Sequence, residues 1–389
     1  MRLYFIGQKG IPSKSGGVEK HVEELSVKLA RAGHEVFVYT RPNYTEASLK
    51  KYKGVNLISI PSIGTKRLDA ISHTFRVCFD VAKREADLVH FHSIGPSSLI
   101  WLIKLLRPNL PIVATFHTRC YQHKKWGVFA KAYLKFGEFM ICILPDVTVA
   151  VSNSLADYVK KEYGTKAAYI PNGVSIPENE PVSAIKQWGL TKNNYILTVS
   201  RLVRHKGVHY LIDAYKQLGT NKKLVIVGDS SFTDDYVQEL KKLAGGNKNI
   251  IFTGGQSGKV LNELFSNAYL FVQPSESEGL SIALLEAMAY EKAVLVSDIP
   301  ENLEAVGEIG FSFKNKSVQH LKNKLDYLLT QPSLVDLHGR LGKERVKKYY
   351  SWRNISGDIL TIYSQEILKR QEKLAGKHKL VKKFIHYIF

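Results

Sequence analysis

Short apolar runs alternate along this chain with amphipathic stretches of helical spacing. LYFIG, HEVFVYT, VNLISIP, DLVHFH, IVATFH and DVTVAV are rich in β-branched and aromatic residues and too short for helices, so they read as buried strands. Between such runs lie helical patterns. VEKHVEELSVKLARAG, for example, repeats its apolar residues at three- and four-residue spacing and stops at Gly33. Strand and helix in alternation imply a parallel sheet covered by helices on both faces. Near Ile170 the periodicity is lost in IPNGVSIPENEP, whose Pro, Gly, Asn and charge mark a linker. The pattern then restarts with YILTVS, KLVIVG, NIIFTG, YLFVQP and AVLVSD, and a last amphipathic helix opens at YSWRNISGDILTIY. The fold class expected is α/β, with two doubly wound Rossmann-like domains facing a cleft and a C-terminal helix. The divisions fall at 1–172, 173–350 and 351–389.

The length of 389 residues agrees with more than one core. Cys78, Cys120 and Cys142 are scattered without metal-ligand spacing, which argues for a reducing compartment and against a disulfide framework. MRLYFIG runs straight into a glycine loop and is too short for a signal peptide. The most apolar stretch, Phe136 to Val151, is interrupted by Glu138, Pro145 and Asp146, so no spanning helix is expected and the chain is placed in the cytoplasm. Net charge is +20: about +12 falls in residues 1–175, about +2 in 176–368 and about +6 in 369–389. Such an excess calls for an anionic partner, either nucleic acid or an anionic membrane surface.

Three segments carry chemistry. GIPSKSGGVEKHVEEL places Gly16 and Gly17 between a strand and a helix, where backbone amides and the helix N-terminus suit a phosphate; the same glycines also suit a plain turn. The spacing is not GxGxxG, so a dinucleotide is disfavoured. SRLVRHKG sets Arg201 and Lys206 at the carboxyl end of a strand, where two cations neutralise a diphosphate or simply meet solvent. SESEGLSIALLEAMAYEKAVLVSD holds Glu278 and Glu286 with seven residues between them. Glu286 sits in an apolar helix, where a carboxylate needs a hydrogen-bonding partner, a sugar hydroxyl or a structural cation. The amides of Gly279 and Leu280 open that helix.

Gly-Gly after the first strand, Arg-x4-Lys after the first strand of the second half, and Glu-x7-Glu ending in LLEAMA resemble family 4 retaining glycosyltransferases of the GT-B fold, from Leu3 to about Glu366. RLDAISHTFRVCF, HFHSIGPSSLIW and KWGVFAKAYLKFGE are similar to the branch that builds bacterial surface polysaccharides. The resemblance implies that Gly16 and Gly17 meet the phosphates of a nucleotide-sugar donor, and that Arg201 and Lys206 hold the diphosphate as it leaves. It implies that Glu278 orients the donor sugar beside the amides of Gly279 and Leu280, that Glu286 bonds the ribose, and that His117 lies beside the sugar and its phosphate. Two departures stand out: Thr118 where the family usually has Gly, and Gly228 followed by Asp229, Ser230 and Ser231 where a Gly-x-Gly turn is common. The base is expected near Gly228 and Thr253-Gly254.

No Asp-x-Asp motif stands at a strand end and no His/Cys cluster has ligand spacing, so no metal and no cofactor is expected. The resemblance implies retention, by same-face attack through an oxocarbenium-like transition state. Basic and bulky apolar residues are interleaved in TRCYQHKKWGVFAKAYLKFGE and in the tail KRQEKLAGKHKLVKKFIHYIF, which suits peripheral contact with an anionic bilayer carrying a lipid-linked or glycan acceptor. A nucleotide-sugar epimerase is the alternative enzyme. A nucleic-acid binder is disfavoured, because the second half is almost neutral and Glu-x7-Glu does not serve that use.

Overall fold

The apolar runs become two parallel sheets in the computed structural model. It describes the chain except residues 15, 66–67, 120, 122–126, 232 and 389, together with the side chains beyond residue 375. The first sheet is built from β1 (Arg2–Ile6), β2 (Glu35–Thr40), β3 (Lys51–Tyr52), β4 (Val55–Ser59), β5 (Leu88–His92), β6 (Ile112–Phe116), β7 (Val147–Ala150) and β8 (Ala168–Tyr169). Their order is β3-β4-β2-β1-β5-β6-β7-β8, and β3 runs antiparallel to β4 while the other pairs are parallel. The connecting helices are α1 (Gly17–Arg31), α2 (Asp69–Ala82), α3 (Ile94–Ser97), α4 (Ile100–Leu106), α5 (Val128–Ile143) and α6 (Asn153–Tyr163). The helix expected to close at Gly33 does so: α1 ends at Arg31, and the Gly33 N–H donates to the Ala30 carbonyl at 3.1 Å.

The second sheet comprises β9 (Tyr195–Val199), β10 (Lys223–Val227), β11 (Ile250–Gly254), β12 (Leu270–Gln273), β13 (Ala293–Ser297) and β14 (Phe311–Phe313), all parallel in the order β11-β10-β9-β12-β13-β14. Around it lie α7 (Val208–Tyr215), α8 (Asp234–Ala244), α9 (Gly258–Asn267), α10 (Ile282–Ala289), α11 (Pro300–Val306), α12 (Val318–Leu329) and α13 (Pro332–Tyr349). One face of its core joins Ile196, Leu224, Ile226, Leu270, Val272 and Leu295 to Leu211 and Ile212 of α7 and to Leu321, Leu325 and Leu328 of α12.

The chain divides into Pro171–Trp352 and a unit made of Met1–Ile170 with Arg353–Phe389. The stretch 351–389, read from sequence as a piece of its own, therefore joins the first unit from Arg353 onward, while its first two residues stay with the second. The reason is packing along α14 (Trp352–Ile388). Tyr363 is fully buried and bonds His90 Nδ1 through its hydroxyl at 2.5 Å, while Arg370 meets Asp146 at 2.9 Å.

In each sheet the chain winds first to one side of a starting strand and then to the other, so β1 lies between β2 and β5, and β9 between β10 and β12. Such reversals leave a crevice at the strands' carboxyl ends. Two glycines allow close approach there. Gly7, after β1, has φ +116°, and a Cβ on it would lie 2.2 Å from the His92 carbonyl oxygen; Gly207, with φ +68°, would bring a Cβ 1.9 Å from the Pro274 carbonyl oxygen. Any other residue would force the strand ends apart.

Candidate active site

In the second unit the reversal between β9 and β12 sets the site. The chain leaves β9 through Arg201 and a single tight turn, Arg204–Lys206, and leaves β12 through Pro274 to Glu278. Lys206 and Glu278, 72 positions apart, meet there. The ammonium donates to Oε1 at 2.5 Å and to Oε2 at 2.7 Å, with the two side chains 14% and 8% exposed. Each satisfies the other's charge in a place that water scarcely reaches, where an unpaired ion would be costly.

The loop that carries Glu278 is clamped on several sides. Glu276 N–H donates to the His205 carbonyl at 2.7 Å, the Tyr210 hydroxyl donates to Glu276 Oε1 at 3.0 Å, and Ser297 Oγ donates to the Ser275 carbonyl at 2.5 Å. Ser281 caps α10 by accepting from Leu284 N–H at 3.3 Å, and its own hydroxyl donates to Gln273 Oε1 at 2.7 Å. Gly279 and Leu280 are buried just before that cap, and the Leu280 carbonyl accepts from Asn172 Nδ2 at 2.7 Å. Glu286 is half-buried on α10 between buried Leu285 and Ala287. Burial, followed by the charge of Glu286, pushes the Tyr290 phenol up from its ordinary value. Arg201 is exposed. Gly228, where the base was expected, donates its N–H to the Gly254 carbonyl at 3.0 Å at the ends of β10 and β11.

The first unit holds the other candidates. Gly16 has φ +98° and Gly17 opens α1. The loop before them is fastened by two carboxylates of α1: Lys9 N–H donates to Glu19 Oε1 at 3.1 Å and Ser13 N–H to Glu23 Oε2 at 2.7 Å. Those two loop amides are thus already engaged. His117, at the end of β6, is 6% exposed and shares a hydrogen bond with His92 Nδ1 through its Nε2 at 3.1 Å. His92 in turn lies 4.1 Å, ring to ring, from His90, and His90 Nε2 bonds Thr115 Oγ1 at 2.7 Å. Burial pushes His90, His92 and His117 well below the ordinary histidine value, with the neighbouring imidazoles adding to it.

His21 of α1 completes the group, its ring 5.0 Å from that of His117. Sequence reasoning passed over His21 and His92. The signal available was two histidines at alternate positions of an otherwise apolar strand, which puts both on one face. One nitrogen each from His21, His92 and His117 lies within 4.8 Å of the others, a donor set that suits a transition ion such as zinc. In the structure His92 and His117 hydrogen-bond one another.

Two doubly wound Rossmann-like sheets are the architecture of the GT-B glycosyltransferases. Residues 15–177 match the family model described as Glycosyltransferase Family 4, and residues 182–348 match that described as Glycosyl transferases group 1. The chain is 26% identical over 360 residues to the phosphatidyl-myo-inositol mannosyltransferase of Mycolicibacterium smegmatis, covering 90% of each chain. It is 28% identical over 190 residues to the capsular polysaccharide biosynthesis glycosyltransferase CapM of Staphylococcus aureus, covering 47% of this chain and 49% of that protein. Among solved structures, HepE of Anabaena in complex with UDP and glucose superposes with a TM-score of 0.79 at 19% identity, over 94% of this chain and 100% of that one.

Proposed function

We propose that the chain is a retaining hexosyltransferase that moves a sugar from a UDP- or GDP-sugar to a lipid-linked glycan acceptor during surface-polysaccharide assembly. It works on the cytoplasmic side of a membrane to which it binds peripherally, and it needs no metal. The Lys206–Glu278 pair at the carboxyl ends of β9 and β12 carries this reading. A diphosphate arriving there competes with Glu278 for Lys206. Lys206 and the exposed Arg201 then balance the charge that develops on the leaving group, and the Glu278 carboxylate is released to orient sugar hydroxyls. The amides of Gly279 and Leu280 and the half-buried Glu286 take the sugar and the ribose. The first unit carries its own assignments, Gly16 and Gly17 for phosphate and His117 for the donor sugar. HepE, solved with UDP and glucose, supports a uridine donor, and CapM, named for capsular polysaccharide biosynthesis, supports the product class.

The test is a panel of UDP-, GDP- and TDP-sugars screened for thermal stabilisation, since a ligand bound only by the folded state raises stability by about 2.7 kcal/mol at a hundredfold excess over its Kd. One base should stand out, and Lys206→Ala should abolish its effect. A protein stabilised by none of the three fails the reading. Release of free nucleoside diphosphate only when acceptor is present separates a transferase from an epimerase.

A further inference from the structure

Among the described residues no helix is long and apolar enough to cross a membrane. Even so, ten of the twenty exposed large apolar side chains among the described residues sit on three helices of the first unit. These helices are neighbours, with α4 packed against both α2 and α5. On α2 the exposed pair is Phe75 and Phe79, four residues apart. On α4, Trp101 and Leu105 repeat that spacing, and Leu105 is 71% exposed. On α5 the outward stripe runs from Phe129, 93% exposed, through Phe136 and Phe139 to Ile143, while Leu134, Gly137, Glu138 and Ile141 fill the inward side. An apolar surface spread over three adjacent helices is more than a monomer scatters at random.

The charges around it are of one sign. Arg76 and Lys83 on and after α2, and Lys131 on α5, are exposed. The acidic residues of the same helices are taken up within the unit. Asp69 pairs with Arg41 at 2.8 Å, and Asp80 pairs with Arg84 at 2.6 Å while accepting the Tyr39 hydroxyl at 2.7 Å. Glu138 is fully buried under Tyr158 and Tyr163 and bonded to Lys135. A second copy of this face would bring like charges together, whereas anionic headgroups complement it. The C-terminal helix leaves from the same region: Asp146, three residues past α5, is held both by Lys104 of α4 at 2.6 Å and by Arg370 of α14 at 2.9 Å.

We infer that the outward faces of α2, α4 and α5 form one bilayer-docking surface, with the aromatic and aliphatic stripes in the interface and the lysines and arginines at anionic headgroups. The inference rests on the proposed reading, in which a lipid-linked acceptor requires the enzyme at a membrane, and it names the surface that reading lacks. Lys124, Lys125 and Trp126, singled out in the sequence, lie outside the described residues, as do the side chains of the tail beyond residue 375.

The experiment is co-sedimentation of the full chain with phosphatidylcholine vesicles containing about a third phosphatidylglycerol, compared with phosphatidylcholine alone. Since each near-surface cation contributes about fivefold in affinity, the anionic vesicles should bind at least tenfold tighter and release the protein at high salt. The double variant Leu105→Glu, Phe129→Glu should lose at least tenfold of that binding. Its unfolding transition should be unchanged, as should its transfer to a water-soluble acceptor. No binding by the native chain overturns the inference. So does full binding by the double variant, or a solution dimer that the double variant dissociates. Because the vesicle assay contains no nucleotide-sugar, failure of the transferase reading would show in the donor panel instead.

Discussion

The Tyr363 hydroxyl bonds His90 Nδ1 at 2.5 Å across 273 positions of sequence, fastening the last helix to the middle strand of the first sheet. Both residues are fully buried. Tyr363→Phe keeps the ring and removes only the partner of a buried nitrogen, at a cost of about 1–3 kcal/mol. The urea midpoint of the first unit should fall accordingly while the second unit's stays in place. A midpoint unmoved by the substitution would mean that this bond contributes nothing to holding the C-terminal helix.

The buried histidines predict how that stability varies with pH. His90, His92 and His117 are pushed well down by burial, and burial followed by the Arg41 charge brings His73 to about 4. In the unfolded chain all four return to about 6.5, so below that value the unfolded state binds protons that the native state refuses. Stability is complete above about pH 6.5 and is lost as pH falls toward 4, at up to about 1.4 kcal/mol per unit for each histidine. Unfolding midpoints should therefore be flat above pH 7 and drop steeply from 6.5 to 5. His73→Gln should reduce the slope by one group's share, and a flat profile down to pH 5 would refute the account.

The sequence made the sheets legible because strands buried on both faces are written as short, nearly continuous apolar runs, as LVHFH and IVATFH are. The residues at the strand ends were legible as types, but their partners were not. Lys206 was assigned to a diphosphate and Glu278 to a sugar, and nothing in a spacing of 72 positions says that the two bond each other. Likewise Glu19 and Glu23 look like any acids in the first two turns of a helix, yet they fold back onto the amides of the preceding loop. The return of the last helix depends on Tyr363, which in sequence is one more apolar position of an amphipathic stretch.

Gly207 offers a test of the site's geometry. It sits beside Lys206 with φ +68°, and a Cβ there would meet the Pro274 carbonyl oxygen at 1.9 Å. Gly207→Ala adds about 1–2 kcal/mol of left-handed strain to a clash between backbones, so the β9 and β12 loops must separate. Turnover should fall at least tenfold and the second unit's stability by about 3 kcal/mol. Gly219→Ala, where no atom lies within 4 Å of the added methyl, should change neither. Equal behaviour of the two variants would show that the close approach of the loops is unimportant.

The Lys206–Glu278 pair serves both stability and the proposed chemistry, and a double-mutant cycle separates the two. At 14% and 8% exposure, losing either partner strands a charge where water scarcely reaches, at about 3 kcal/mol for Lys206→Met or Glu278→Gln alone. Removing both strands nothing, so the double variant should be more stable than the sum of the singles by about 2 kcal/mol. Turnover should not follow stability. A site that must neutralise a leaving diphosphate loses about a hundredfold or more with each substitution, and restoring the fold does not restore the cation. Recovery of nucleoside diphosphate release in the double variant would make the pair a structural brace and nothing more.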